Sequence, residues 1–342
     1  VSGRSILQRF QCYEDQIYYF YFPDYTSCTP FVCDYAHSAN DGNLLAVPDE
    51  EGRISIIRTD KSNDISQGQY HCSFYCHANA VVDVKWSRDD TMLLTSAADS
   101  KSRIMDVETQ QCLGTFIGHR AILRSGNWHP TNPRKYLGSY PMYGPIKAVP
   151  DAHVEPNSII KKKRPVKTIT AGRTVTCALF YPNEEEKVIT SGSFDGAIKL
   201  WDCRAGRSPS TLQATHFQQN GRRKGISDMK IDHSETRLFS VCMDSSIYMH
   251  YLLDLTEPAR RYTDPSYNSS CFTIKLSVSH DDQFLLAGSN NSNNVYAWDV
   301  DGDPTVAHAF EGHTDTVSGV AWHKSNNYQV NGYKMRKKKR LQ

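Results

Sequence analysis

Residues 187–204 read K-V-I-T-S-G-S-F-D-G-A-I-K-L-W-D-C-R. Val188, Ile189 and Thr190 open a β-branched run, Phe194-Asp195-Gly196 supplies a turn, and Ala197 to Trp201 alternates as a return strand. Asp195 and Gly196 tolerate the backbone angles that a tight connection needs, so the hairpin is set by its own residues. One such hairpin buries little. The closing Trp201-Asp202 marks a unit whose neighbouring copies must stack.

The unit repeats. Aligned on the turn acid six residues before the tryptophan, the chain shows Glu51, Asp99, Asp195, Asp244 and Ser292, at intervals of 48, 96 (twice 48), 49 and 48. A period of this length with strand-turn-strand content predicts an all-β fold, a seven-bladed WD40 β-propeller. The expected domain is 1–327, with 1–31 as a closing N-terminal segment and 151–165 as a basic inter-blade insert, followed by a basic C-terminal tail at 328–342. The turns S-R-D-D, H-S-E-T and S-H-D-D, each ahead of a second strand, recur at blade spacing and fix the register.

Some blades depart from the pattern. Ile57 and Met105 stand where tryptophan is expected, and Arg173 stands where a Gly-His pair is expected. After Tyr136-Leu137-Gly138-Ser139 the third blade meets Pro145 and Pro150, each of which would cost a central strand a ladder hydrogen bond. Either that blade is degenerate or residues are absent. The last repeat is also incomplete, which is why the N-terminal segment is expected to help close the ring.

Composition narrows the chemistry. The formal net charge of 342 residues is +2, which argues against wholesale nucleic-acid binding, and no apolar run approaches the length of a membrane span. The ten cysteines are scattered; Cys72-x3-Cys76-His77 is the nearest approach to a metal pattern and lacks a second pair. No metal or other cofactor is expected. The histidines of Gly-His pairs, His119 and His313, and the turn acids Asp99, Asp195 and Asp244 read as a hydrogen-bonded blade network, since buried polar groups must be satisfied. No catalytic residue stands out, and the chain reads as a non-enzyme.

From about Phe31 to Trp322 the chain resembles the denticleless family, WD-repeat substrate receptors of cullin-4 ubiquitin ligases that act in S phase. The phrases that carry the resemblance are L-L-A-V-P-D-E-E-G-R-I at 44–54, H-A-N-A-V-V-D-V-K-W at 77–86 and G-T-F-I-G-H at 114–119. A Lys-rich insert preceded by Asp151-Ala152-His153 follows, then T-S-G-S-F-D-G-A-I-K-L-W-D-C-R at 190–204, D-S-S-I-Y-M at 244–249 and D-D-Q-F-L-L-A-G-S at 281–289.

The resemblance implies docking on the ligase's triple-propeller adaptor through a WD-x-R motif, here Asp195, Trp201, Asp202 and Arg204, with cullin-4 and its RING subunit bound indirectly. It also implies substrates that display a degron together with chromatin-bound proliferating cell nuclear antigen, in replication or after DNA damage. On the opposite face, Arg120, Arg173, Arg222, Arg223 and Lys224 are expected to form a basic surface for substrate or chromatin, touching DNA at most indirectly. Lys161, Lys162, Lys163 and Arg164, and Lys337, Lys338, Lys339 and Arg340, resemble nuclear import signals, so the expected location is the nucleus. A second reading stays open: a chromatin or phosphopeptide reader on the same ring, tied to no ligase.

Overall fold

A computed structural model describes residues 28–61, 70–119, 121–130, 174–184, 186–204, 210–216, 222–313 and 315–325, with shorter pieces at 7, 20, 136–137, 152–153, 218–219 and 330–334. Its strands come mostly as antiparallel meanders of four. The first holds β1 (Asp34–Tyr35), β2 (Leu44–Pro48), β3 (Arg53–Arg58) and β4 (Tyr70–Tyr75). The second holds β5 (Val81–Trp86), β6 (Met92–Ala97), β7 (Ser102–Asp106) and β8 (Cys112–Phe116). A short pair follows, β9 (Asn127–Trp128) with β10 (Tyr136–Leu137), and then the meander of β11 (Val175–Phe180), β12 (Lys187–Gly192), β13 (Ala197–Asp202) and β14 (Ser210–His216).

A two-residue hairpin, β15 (Gln218–Gln219) with β16 (Arg222–Arg223), leads into β17 (Ile226–Ile231), β18 (Arg237–Cys242), β19 (Ser246–Tyr251) and β20 (Arg260–Tyr262). The last full meander is β21 (Leu276–Val278), β22 (Phe284–Ala287), β23 (Val295–Asp299) and β24 (His308–Phe310), and β25 (Val317–Trp322) pairs with β26 (Val330–Lys334). Among the described residues this makes five four-stranded sheets, the WD40 propeller architecture. The first strand of the first blade is Asp34–Tyr35, and β26 lies within the stretch read from the sequence as a basic tail.

Middle strands are covered on both faces by neighbouring sheets, so they read as continuous apolar runs. Every residue of β2 and of β22 is buried. The core accordingly lies between sheets: Ile54, Ile56 and Phe74 pack with Val84, Trp86 and Leu93 of the next blade, and Phe239, Ile247 and Tyr262 pack with Leu276, Leu285 and Trp298. At roughly 1.5–3 kcal/mol for each fully buried large apolar side chain, a blade without its neighbour forfeits most of its burial.

The first strands follow one another around an axis. The indole N–H of Trp86 donates to the carbonyl of Asp34 (2.9 Å), that of Trp128 to Lys85 (3.0 Å), and the Asn127 amide to Ala178 (2.6 Å). The N–H of Leu276 reaches the Asp228 carboxylate (3.1 Å), and that of Trp322 reaches Ser277 Oγ (2.9 Å). Closure comes from the chain's two ends. Ser318 Oγ donates to the Phe31 carbonyl (3.4 Å) and Lys324 Nζ lies 3.3 Å from Asp34 Oδ2. Of the N-terminal segment, Leu7 is buried against Phe284, Val317 and Trp322, and Phe20 against Tyr35, Leu45 and Ala321.

The three recurring acidic turns also join blades. Two of them carry a pair of acids whose first member stays local: Asp89 and Asp281 each accept a hydrogen bond from the serine two residues earlier, at 2.7 Å. The last acid of each turn, the only one in H-S-E-T, sits at positive φ (Asp90 58°, Glu235 56°, Asp282 58°), and its side chain reaches the preceding blade. Asp90 accepts from the backbone N–H groups of His37, Ser38 and Ala39 at 2.7–2.9 Å, Asp282 from those of His233 and Ser234 at 2.8 Å, and Glu235 from Asn183 Nδ2 at 3.1 Å. Burial opposes the charge on Asp90, but the His37 hydrogen bond and the backbone donors outweigh it and hold the carboxyl well below its usual range.

Candidate functional site

In a four-stranded blade the turns between first and second and between third and fourth strands lie at one end of the ring, and the remaining connections lie at the other. Asp195, in the turn from β12 to β13, belongs to one end; Arg204, just past β13, belongs to the opposite end.

At the Asp195 end a complete hydrogen-bonded chain crosses the blade. Gly196, at φ 60°, lets the turn fold back, and Asp195 accepts the Ala197 N–H (3.2 Å). His153 Nδ1 lies 2.8 Å from Asp195 Oδ2 and His153 Nε2 lies 2.9 Å from Thr190 Oγ1. The Trp201 indole N–H then donates to Thr190 Oγ1 (2.7 Å). All four side chains are buried. Burial disfavours the Asp195 carboxylate, yet the hydrogen bond and charge of His153, the Ala197 N–H and Lys199 together pull its pKa down. The backbone next to the turn leaves no spare room, because a Cβ on Gly192 would meet the Asp195 carboxylate and the His153 ring.

The histidine of this network is His153. The position assigned to Arg173 by its distance from the strand is therefore not where the blade draws its ring, and Arg173 itself lies outside the described residues. The Lys-rich insert separates the histidine from β11. Without the insert, the Ala152-His153 pair would have read as a blade opening.

The second blade repeats the pattern with one member changed. His77 Nδ1 lies 3.0 Å from Asp99 Oδ2 and His77 Nε2 lies 2.7 Å from Thr95 Oγ1, which in turn lies 3.1 Å from the Arg103 carbonyl oxygen. Met105, buried, stands in the tryptophan's place. Burial lowers the His77 pKa; on Asp99, burial is outweighed by the hydrogen bond and charge of His77. In the β17–β20 blade Asp244 is bonded to the Tyr248 hydroxyl (2.6 Å), a partner for the acid other than histidine. His119 is exposed and His313 half-buried.

These chains share the hydroxyl, imidazole, carboxylate order of a hydrolytic triad. Their hydroxyls, however, are sealed inside the blade, with Thr95 fully buried; Thr190 also accepts from the Trp201 indole N–H and Thr95 donates to the Arg103 carbonyl. The arrangement serves to satisfy buried polar groups. Both ring nitrogens of His77 are already engaged and Cys76 Sγ lies 3.3 Å from the Gly52 carbonyl oxygen, so the Cys72-Cys76-His77 run is spent on structure. Among the described residues no group of three or more His, Cys, Asp or Glu side chains is placed to hold a metal ion.

At the opposite end Arg204 stands 59% exposed. Asp202 accepts the Arg204 N–H (2.8 Å), fixing the backbone as it leaves β13, and the guanidinium lies 3.0 Å from Glu184 Oε2 and 3.7 Å from Asp202 Oδ1. Such an exposed pairing is worth under about 1 kcal/mol, so another acceptor can replace Glu184 at small cost.

Comparison with known proteins places this geometry. A model of the WD domain G-beta repeat matches residues 163–202 and 304–333, and a model of the anaphase-promoting complex subunit 4 WD40 domain matches 39–129. The chain is 32% identical to the denticleless protein homolog of Danio rerio, over 93% of its own length, and 29% identical to denticleless protein homolog B of Xenopus laevis, over 94%. Similarity extends to protein lethal(2)denticleless of Drosophila melanogaster, at 26% over 91% of the chain. The chain is homologous to the denticleless proteins. It spans about half the length of these denticleless relatives, 52% of the Danio rerio protein. The crystal structure of the Cps50 (Swd1) β-propeller domain of Myceliophthora thermophila superposes with a TM-score of 0.66, covering 87% of this chain and 91% of that one; at 14% identity it speaks for the fold alone.

Part of the basic surface expected at the Asp195 end falls among the described residues. Arg223 is exposed on the β15–β16 hairpin and Lys224 is half-buried, its carbonyl oxygen 3.7 Å from Cys242 Sγ. Arg222 is a strand residue of β16. Arg120, Arg173 and the runs Lys161–Arg164 and Lys337–Arg340 lie outside the described residues.

Sequence reasoning missed the charged lining of the axial channel in this denticleless homologue. Asp83, Lys85, Asp228, Lys230 and Lys275 converge there beneath Ser125 and Asn127. Lys85 lies 3.0 Å from Asp83, and Lys275 lies 3.6 Å from Asp228. Burial opposes the Lys85 charge but Asp83 and Asp34 overcome it and raise its pKa, while Asp83 stays ionised against its own burial through Lys85 and Lys275. The signal available was the phrase V-D-V-K-W at 82–86, whose Asp and Lys share the strand face toward the axis.

Proposed function

We propose that this chain is the seven-bladed substrate-recognition propeller of a cullin-4 ubiquitin ligase. The seven-bladed reading is supported by the succession of first strands β1, β5, β9, β11, β17, β21 and β25 around the axis. The propeller then runs through β26 to Lys334 rather than ending at 327, with 1–31 as its closing segment. Arg204, with Asp202, Trp201 and Asp195 behind it, makes the WD-x-R contact with the triple-propeller adaptor, and cullin-4 and the RING subunit follow indirectly.

One observation carries this reading. The side chain that the denticleless resemblance assigns to docking projects from the ring on a backbone pinned by Asp202, while Trp201 and Asp195 are consumed by the blade's internal network. Docking is thus separable from folding. The opposite face, with Arg223 and Lys224, takes degron-bearing proteins together with proliferating cell nuclear antigen, in the nucleus, with the basic runs at 161–164 and 337–340 as import signals.

The test is adaptor affinity, measured by biolayer interferometry on purified proteins. Arg204→Ala is expected to weaken binding more than tenfold, since losing a desolvated charged contact costs about 2–5 kcal/mol, while the melting curve stays in place. Full binding by Arg204→Ala would overturn the docking assignment. Purification of the chain from cells without the adaptor would favour the reader reading instead.

A further inference from the structure

Arg124 occupies an unusual position. It precedes β9, yet its guanidinium lies over the ring of Phe272, which precedes β21, at 4.2 Å from the centroid. The sheets of β11–β14 and β17–β20 lie between these two segments in the chain. The neighbours of the pair in sequence, Ser125 on one side and Lys275 and Leu276 on the other, line the axial channel. The Arg124–Phe272 contact therefore spans the mouth of that channel, at the end where connections lead into first strands, which is the Asp195 end.

Among the described residues the charge there has no counter-charge: no carboxylate lies within ion-pair distance of Arg124, and its Nε is buried without a hydrogen-bond partner. In the channel lining Lys85 and Lys275 each face an aspartate, as Lys324 does beside Asp34. A buried donor left unsatisfied is expensive, and a cation over an aromatic face recovers only part of the cost. Desolvation accordingly depresses the Arg124 pKa. Phe272, beneath this cation, is 43% exposed, and on the connection that carries Arg124 the side chains of Ile122 and Ile117 are 44% and 54% exposed.

We propose that Arg124 is the anchor of a peptide-docking site at the channel mouth, and that its ligand is a carboxylate side chain flanked by apolar residues. A carboxylate is planar and accepts two parallel hydrogen bonds from a guanidinium, so it would satisfy the orphaned Nε and supply the missing counter-charge in one step. Ile122 and Phe272 would take the flanking apolar side chains. This deepens the substrate-receptor reading by naming the class of peptide, and it stands on the end opposite Arg204, so adaptor docking plays no part in it.

The test uses the full chain and a displayed library of random twelve-residue peptides, with recovered sequences resynthesised and titrated by fluorescence anisotropy. Recovered peptides are expected to be enriched in Asp or Glu beside an apolar residue. Their affinity should fall about 30-fold or more on Arg124→Gln, and comparably when the peptide's acid becomes its amide. Phe272→Leu should weaken binding less, because the guanidinium remains. Circular dichroism and the melting curve of Arg124→Gln report whether the ring is intact; should that variant fail to fold, the acid-to-amide peptides titrated on the unaltered chain decide. Recovered peptides without acidic enrichment, equal affinity for acid and amide forms, or tighter binding of phosphoserine than of glutamate peptides by tenfold would each overturn the proposal. Since adaptor affinity is read in a separate assay, failure here leaves the Arg204 docking assignment standing, and failure there leaves this one standing.

Discussion

The β11–β14 blade and the β5–β8 blade solve one problem with different parts. In the first, Thr190 sits between His153 Nε2 and the Trp201 indole N–H, so its hydroxyl has partners on both sides. In the second, Thr95 faces His77 Nε2 and donates to the Arg103 carbonyl, and Met105 is buried at the tryptophan's position without a polar N–H that must be matched. What is kept is a buried threonine hydroxyl with two partners, not the sense of its bonds: Thr190 accepts from the indole N–H, whereas Thr95 donates to a backbone carbonyl. A blade that loses its tryptophan remains a blade when the hydroxyl turns its own proton to the backbone.

The sharpest break would come from truncation. Trp201→Ala should cost about 3–5 kcal/mol through the cavity and the lost donor together, whereas Met105→Ala should fall at about 2–5 kcal/mol from cavity alone; urea unfolding measures both. Trp201→Phe isolates the hydrogen bond, leaving Thr190 with one partner, and should cost about 1–3 kcal/mol. Met105→Leu, which changes no polar balance, should cost under about 1.5 kcal/mol. If Trp201→Phe proves no more costly than Met105→Leu, the network contributes little and the two blades differ only in packing.

Acid titration sharpens the comparison further. Asp195 and Asp99 both have folded pKa values below the unfolded carboxylate value of about 3.9, so the folded state binds fewer protons than the unfolded one as pH falls below that point. Their stabilisation is present above about pH 4 and is lost as pH drops through the folded values. Asp195→Asn and Asp99→Asn should each flatten part of the acid limb of stability against pH, and an unchanged slope in either would separate the two blades. Smallest of all is Arg204→Ala, outside both networks, which should shift stability by no more than about 0.5 kcal/mol.

Much of this was legible in the spacing. The 48-residue interval, the turn at Asp195-Gly196 and the recurring acidic turns are local chemistry, and the structure builds them where the residues place them. His153 was hidden because its ring is supplied from before the insert, and distance along the chain says nothing of which residue folds back. Loop closure grows only as about 0.6 kcal/mol per doubling of length, so the blade tolerates the separation that defeats a motif. Arg124 was hidden for a different reason: the residue it meets, Phe272, is 148 positions away, and no local pattern announces a contact across an axis. The same holds for the acids at 90, 235 and 282. Their recurrence could be seen, but the partner of each belongs to the previous repeat.

Those acids bear on how such a ring can be cut and rebuilt. Because Asp90 and Asp282 reach backward to the loop before them, the unit that can be duplicated or transplanted runs from one latch to its receptor, and it straddles the seam between two sheets. A blade excised at its sheet boundaries would carry away an acid with nothing to hold and leave behind a loop of N–H groups with nothing to accept them. An engineer who wishes to lengthen the ring, or a genome that has done so by copying, keeps the ring closed only by copying the half-repeat offset along with it.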